Sequence, residues 1–104
     1  MKQNVAAQSL AALGNETRLQ LFRTLVRAGP DGANVGTLQQ LLGIPGSTLA
    51  HHLGALARAG LVQQTRQGRE VISSVDFPAM QGLIGYLTEE CCTGLCVTAE
   101  DDAA

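Results

Sequence analysis

The chain has 104 residues, seven Lys+Arg against nine Asp+Glu, a formal net charge of −2, and 45% apolar residues. That length fits one domain burying roughly 65% of its unfolded surface. The acid excess argues against the basic field of a nucleic-acid binder and against a polybasic membrane anchor, and only 15% charged residues beside so many apolar ones excludes a disordered chain.

The aromatics are Phe22, Phe77 and Tyr86, with no Trp, so the core is aliphatic and a stacking platform for bases or sugars is poorly supported. Gln3, Asn4, Gln8 and Ser9 interrupt the N-terminal apolar residues, so no signal peptide is visible. Residues 32–57 lack formal charge but carry Asn34, Gln39, Gln40, Pro45, Ser47, His51 and His52, which is no membrane span. Three cysteines, all between residues 91 and 96, do not make a disulfide framework. Free thiols in a reducing cytoplasm are the expected setting.

In chain order, residues 4–13 read as a short helix with Val5, Leu10 and Leu13, ended by Gly14. Asn15 is the N-cap for a second helix, Glu16 to Ala28, whose Leu19, Phe22 and Val26 recur at helical spacing. Gly29-Pro30-Asp31-Gly32 is a loop signal. Asn34 caps a third helix over 35–42, with Val35, Leu38, Leu41 and Leu42 as its apolar face and Gly43 as its stop. Ser47 is the expected cap of a fourth helix, 47–59, with Leu49, Leu53 and Leu56 inside.

The period then changes. Leu61–Arg66 and Arg69–Val75 read as two strands joined by a turn at Gln67-Gly68. Asp76 caps a closing helix, with Pro78 in its first turn and an apolar face of Met80, Leu83, Ile84 and Leu87. Residues 97–104 read as a frayed acidic tail. The expected fold is mainly α with a small β-hairpin (α+β). Helices 35–42 and 47–59 make a helix-turn-helix, and the hairpin after them makes a wing. A small α+β domain without a DNA role shares the same pattern.

The stretch Ala12-Leu13-Gly14-Asn15-Glu16-Thr17-Arg18-Leu19 resembles the opening of the ArsR family of bacterial winged-helix repressors. So do Ser47-Thr48-Leu49-Ala50-His51-His52-Leu53, Ala59-Gly60-Leu61-Val62 and the wing from Arg66 to Arg69. Four segments in register over roughly residues 10–76 carry the resemblance. It implies a cytoplasmic homodimer that binds double-stranded operator DNA, with helices one and five forming the interface through Leu10, Leu13, Met80, Leu83, Ile84 and Leu87. It also implies a boundary near residue 90, with a DNA-binding and dimerisation domain over 1–90 and an effector segment over 91–104. The family usually has a polar residue where Gly46 stands and Ser where Ala50 stands.

Read from the residues, the start of the second helix of such a pair enters the major groove. Ser47, Thr48, Ala50 and His51 then point away from the leucine face, whereas His52 is expected to pack. Arg66, Gln67 and Arg69 of the wing are candidate backbone or minor-groove contacts. An ordinary solvated hairpin and a surface histidine would look the same.

Cys91, Cys92 and Cys96 place three soft sulfur ligands in one short segment, and Gly94 lets the backbone fold the third back. Trivalent arsenic and antimony prefer three sulfurs in a pyramid, whereas structural zinc usually takes four ligands. One group within the resembled family shares vicinal cysteines and a third just past the closing helix, and senses arsenite. As(III), with Sb(III) beside it, is therefore the expected effector. Cadmium or lead, a thiol redox switch, functionless cysteines and a non-DNA-binding arsenic-sequestering role stand as alternatives. An enzyme such as a thiol arsenate reductase is disfavoured, because no Arg follows any cysteine.

The charge count then divides. Residues 1–88 hold all seven bases and four acids (Glu16, Asp31, Glu70, Asp76), which is +3; residues 89–104 hold five acids and no base, which is −5. The overall −2 averages a mildly basic body with an acidic tail.

Overall fold

The computed structural model describes residues 1–95. Five helices, α1 (Gln3–Leu13), α2 (Glu16–Ala28), α3 (Val35–Leu42), α4 (Gly46–Arg58) and α5 (Phe77–Thr88), surround a three-stranded antiparallel sheet of β1 (Ala33–Asn34), β2 (Val62–Gln67) and β3 (Glu70–Val75). This is a winged helix-turn-helix.

Three helix starts follow the expected capping chemistry. The side chains of Asn15, Asn34 and Asp76 accept from the backbone N–H of Arg18, Thr37 and Ala79, each satisfying one orphan donor of the first turn. The fourth differs. Ser47 does not cap α4; the helix begins one residue earlier, at Gly46, with Pro45 as N-cap and no side-chain cap bond. Pro45 sits at φ −63°, ψ 152°, and its carbonyl accepts from Leu49 N at 2.9 Å. Proline's fixed φ suits this entry, and Ser47 is thereby released to the first turn with its hydroxyl outward.

The sheet holds two further departures. Two-residue β1, unexpected from the sequence, pairs Ala33 with Ser73 and Asn34 with Ile72. The hairpin pairs Gln67 with Glu70, so its turn is Gly68-Arg69 and not Gln67-Gly68. Gly68 takes φ +65°, and a positive φ at the first turn position is the glycine pattern of a type II′ hairpin. Arg69 is thus a turn residue at the wing tip.

The core gathers Leu21, Phe22 and Leu25 of α2, Leu38 of α3, Leu49, Leu53 and Leu56 of α4, and Leu61, Val62 and Val75. Each fully buried Leu contributes roughly 1.5–3 kcal/mol. The three α4 leucines, at most 1% exposed, therefore fix which face of that helix meets solvent. Gly43, at φ +66°, ends α3 and returns its N–H to Gln39 O at 2.8 Å, which sets the turn between α3 and α4.

Outside that cluster, Ala6 and Ser9 of α1 and Leu83 of α5 are also buried, on two helices that touch. This sorts the six residues expected at a dimer interface. Leu83 is only 5% exposed and is used inside the protomer, while Leu13 and Met80 pack partly against the core. Leu10, Ile84 and Leu87 stay exposed, together with Val5. Among the described residues no helix is long and apolar enough to cross a membrane.

Candidate nucleic-acid interface and thiol pair

The N-terminal half of α4 presents Ser47, Thr48, Ala50 and His51 to solvent while Leu49 and Leu53 are buried below them. The sequence pattern already contains this division, since residues at 49, 53 and 56 share one helical face. The front offers two hydroxyls, one imidazole and one methyl. That is chemistry able to meet base edges, phosphates and the thymine methyl.

His52 packs as expected. It is half-buried, its Nδ1 is shielded with no hydrogen-bond partner, and its ring meets that of His51 edge-on at 5.6 Å. Burial, then the charges of Arg18 and His51, lower its pKa below the ordinary 6.5. A depressed histidine pKa means the unfolded chain binds the extra proton more readily. Its contribution is therefore intact at neutral pH and declines as pH falls below about 6.5. Replacing His52 with Gln should flatten that acid-side loss of Tm between pH 7 and 5; an unchanged pH profile would contradict the assignment.

The wing carries Arg66, Gln67 and Arg69, all exposed. Arg66 and Gln67 are consecutive on β2 and point to opposite faces of the strand. Asn34 does more than the expected capping. Its Oδ1 accepts from Thr37 N at 2.8 Å while its Nδ2 donates to Glu70 Oε1 at 3.2 Å. One side chain thus ties the start of α3 to the first residue of β3, next to Arg69. No local sequence signal announces a link across 36 residues. A second residue missed from sequence is Gln39, whose amide lies against the start of α4: a Cβ built on Gly46 would stand 3.2 Å from Gln39 Nε2.

Cys91 and Cys92 stand just past α5, after Glu89 and Glu90, both exposed, with their sulfurs 3.2 Å apart. Cys91 N donates to Thr88 O at 2.9 Å, so the pair is fastened to the last turn of the helix. Cys92 is the one non-glycine residue at positive φ (+64°) among those described, and Gly94 follows at +90°. Cys96 and the acidic tail lie outside the described residues. Among the described residues no three His, Cys, Asp or Glu side chains converge as a metal site.

Comparison with known proteins gives consistent relatives. The family described as "Helix-turn-helix domain" matches residues 13–65. ArsR2 of Halobacterium salinarum, whose name refers to an arsenical resistance operon repressor, is 38% identical over 61 residues. That match takes in 59% of this chain but only 50% of ArsR2, so the chain spans about half the length of that relative. The transcriptional repressor PagR of Bacillus anthracis is 30% identical over 81 residues, covering 78% of this chain and 79% of PagR. Among solved structures, an ArsR-like transcriptional regulator from Rhodococcus sp. RHA1 superposes with a TM-score of 0.70 at 27% identity, covering 83% of this chain and 78% of that one.

Proposed function

The chain belongs to the ArsR family of winged helix-turn-helix transcriptional regulators, and from that premise we propose that it is a homodimeric cytoplasmic repressor. It binds duplex operator DNA and releases it when arsenite or antimonite is captured by Cys91, Cys92 and Cys96. The DNA half of the reading rests on the exposed front of α4, held outward by Leu49, Leu53 and Leu56. Ser47, Thr48, Ala50 and His51 meet the major groove. Arg66, Gln67 and Arg69 meet the adjacent backbone or minor groove, where contacts to phosphates position the protein without reading sequence.

The effector half rests on the sulfur separation of 3.2 Å. Two exposed thiols this close can converge on one soft ion, and with Cys96 they make the three-sulfur set that a trivalent pnictogen takes. Cys91 and Cys92 would supply two ligands and Cys96, from the same subunit or its partner, the third. Arsenite is neutral in water and needs no electrostatic steering, so the acids at Glu89 and Glu90 do not oppose its approach.

Affinity for the DNA upstream of the chain's own coding region, measured by mobility shift at two salt concentrations with and without arsenite, tests both halves. A steep fall with salt and release by arsenite are expected. Arsenic binding without salt-dependent DNA affinity would overturn the repressor reading in favour of sequestration.

A further inference from the structure

We propose that Gln39, on the first helix of the helix-turn-helix, is a specificity-determining residue that reads a base edge beside Ser47 and Thr48. The inference rests on the operator-binding reading above.

The first residue of α4 is Gly46, so the leading position of the groove-entering helix has no side chain of its own. The space is not left open. A Cβ at that position would lie 3.2 Å from Gln39 Nε2, 3.6 Å from its Cδ and 3.8 Å from its Oε1. The whole carboxamide of Gln39 therefore lies across the start of α4. Leu38, fully buried, anchors the preceding position of α3, and Gly43 fixes the angle at which α3 delivers Gln39 to α4.

Gln39 is half-buried, yet its amide has no hydrogen-bond partner among the described residues. By contrast the amide of Asn34, the N-cap of α3, is engaged through both its oxygen and its nitrogen. Gln39 thus offers a free donor and a free acceptor from a side chain already packed against a neighbour. Packing lowers the rotamer freedom it must lose on binding. The neighbours at the same helix end are the exposed Ser47 and Thr48. A carboxamide carried into the major groove matches the N7 acceptor and N6 donor of adenine, the pairing that only Gln and Asn make bidentately.

Two variants separate this role from a structural one. Gln39→Ala removes the amide. Gly46→Ala keeps the amide but puts a methyl 3.2 Å from its nitrogen, so the amide must yield by a few tenths of an ångström. Ala is also the better helix former, so this second variant should keep or raise Tm. Each full-length protein is challenged with a randomised duplex library, and the enriched sites are sequenced and their affinities measured. Wild type should enrich a two-fold symmetric site. Gln39→Ala should lose preference at one base pair per half-site, with affinity for the wild-type site falling about tenfold, one bidentate contact's worth. Gly46→Ala should weaken the preference at that same base pair.

Identical enriched sites for all three proteins would overturn the inference. So would a loss of affinity in Gln39→Ala that is uniform across sequences, because that marks a backbone contact. Failure of the wild type to enrich any site would overturn the operator-binding reading itself, and this inference with it.

Discussion

A protein with Ile84→Glu and Leu87→Glu is expected to remain folded, become monomeric and lose operator affinity by two orders of magnitude or more. Ile84 and Leu87 are 50% and 58% exposed, one helical turn apart on α5. With Leu10 and Val5 of α1, at 43% and 40%, they leave an apolar surface that the protomer does not cover. Neither residue belongs to the core cluster, so charging them costs little within one protomer. Two glutamates on each side of a two-fold interface would be buried without a partner, and such burial of unpaired charge is prohibitive. In the proposed dimer the two reading helices sit about 34 Å apart to meet successive major grooves. Losing the dimer turns a bivalent contact into two separate ones, and linkage of that kind is worth about 10²- to 10⁴-fold. Light scattering after gel filtration gives the mass, and a mobility shift gives the affinity. Leu83→Glu is the informative contrast, because Leu83 is buried in its own protomer and its replacement should unfold the chain. A double variant that stays dimeric, or a monomer binding as tightly as wild type, would sink the assignment of this face.

Why Leu83 parts from Ile84 and Leu87 shows where sequence reasoning stops. The closing helix is apolar around much of its circumference, so its pattern identifies a helix without sorting inner from outer faces. Local chemistry was legible. Asn15, Asn34 and Asp76 stand three residues before the amides they accept from, and that spacing can be read directly. The exposed front of α4 was legible for the same reason, through the leucines at 49, 53 and 56. What depends on distant partners was not. β1 exists because Ala33 and Asn34 find Ser73 and Ile72, and two residues carry no periodicity of their own. Ser47 lost its capping role to Pro45, whose fixed φ starts the helix one residue sooner. The placement of Gln39 across Gly46 needs the angle between two helices. The thiol pair falls between these cases: adjacency of Cys91 and Cys92 was plain, but the 3.2 Å separation and the tie to Thr88 depend on how the chain leaves α5.

That tie makes the cysteines the site of the largest expected regulatory effect. In a Cys92→Ser, Cys96→Ser double variant, arsenite should no longer release operator DNA, while affinity without arsenite stays within about twofold of wild type. The second half follows from position. Cys91 and Cys92 are exposed, lie beyond the end of α5, and contact neither α4 nor the wing by any hydrogen bond among the described residues. The first half follows from coordination. Removing two of three thiols leaves one soft ligand, too few to hold a trivalent pnictogen. Cys92→Asn is a useful single variant, because Asn accepts the left-handed conformation at φ +64° that Cys92 occupies. It removes the sulfur with little change to the backbone, so its loss of response reports the thiol alone. The coupling is reciprocal. If arsenite weakens DNA binding by a given factor, DNA must weaken arsenite binding by the same factor, and factors of about 5- to 150-fold are usual. In the proposed mechanism, capture just past α5 would act on a helix whose exposed face is the proposed dimer contact, and a change at the thiols would reach the spacing of the reading heads through it. Release by a thiol oxidant in place of arsenite would favour the redox alternative, and release by cadmium alone the divalent one. Arsenite release that persists in the double variant would sink the thiol assignment.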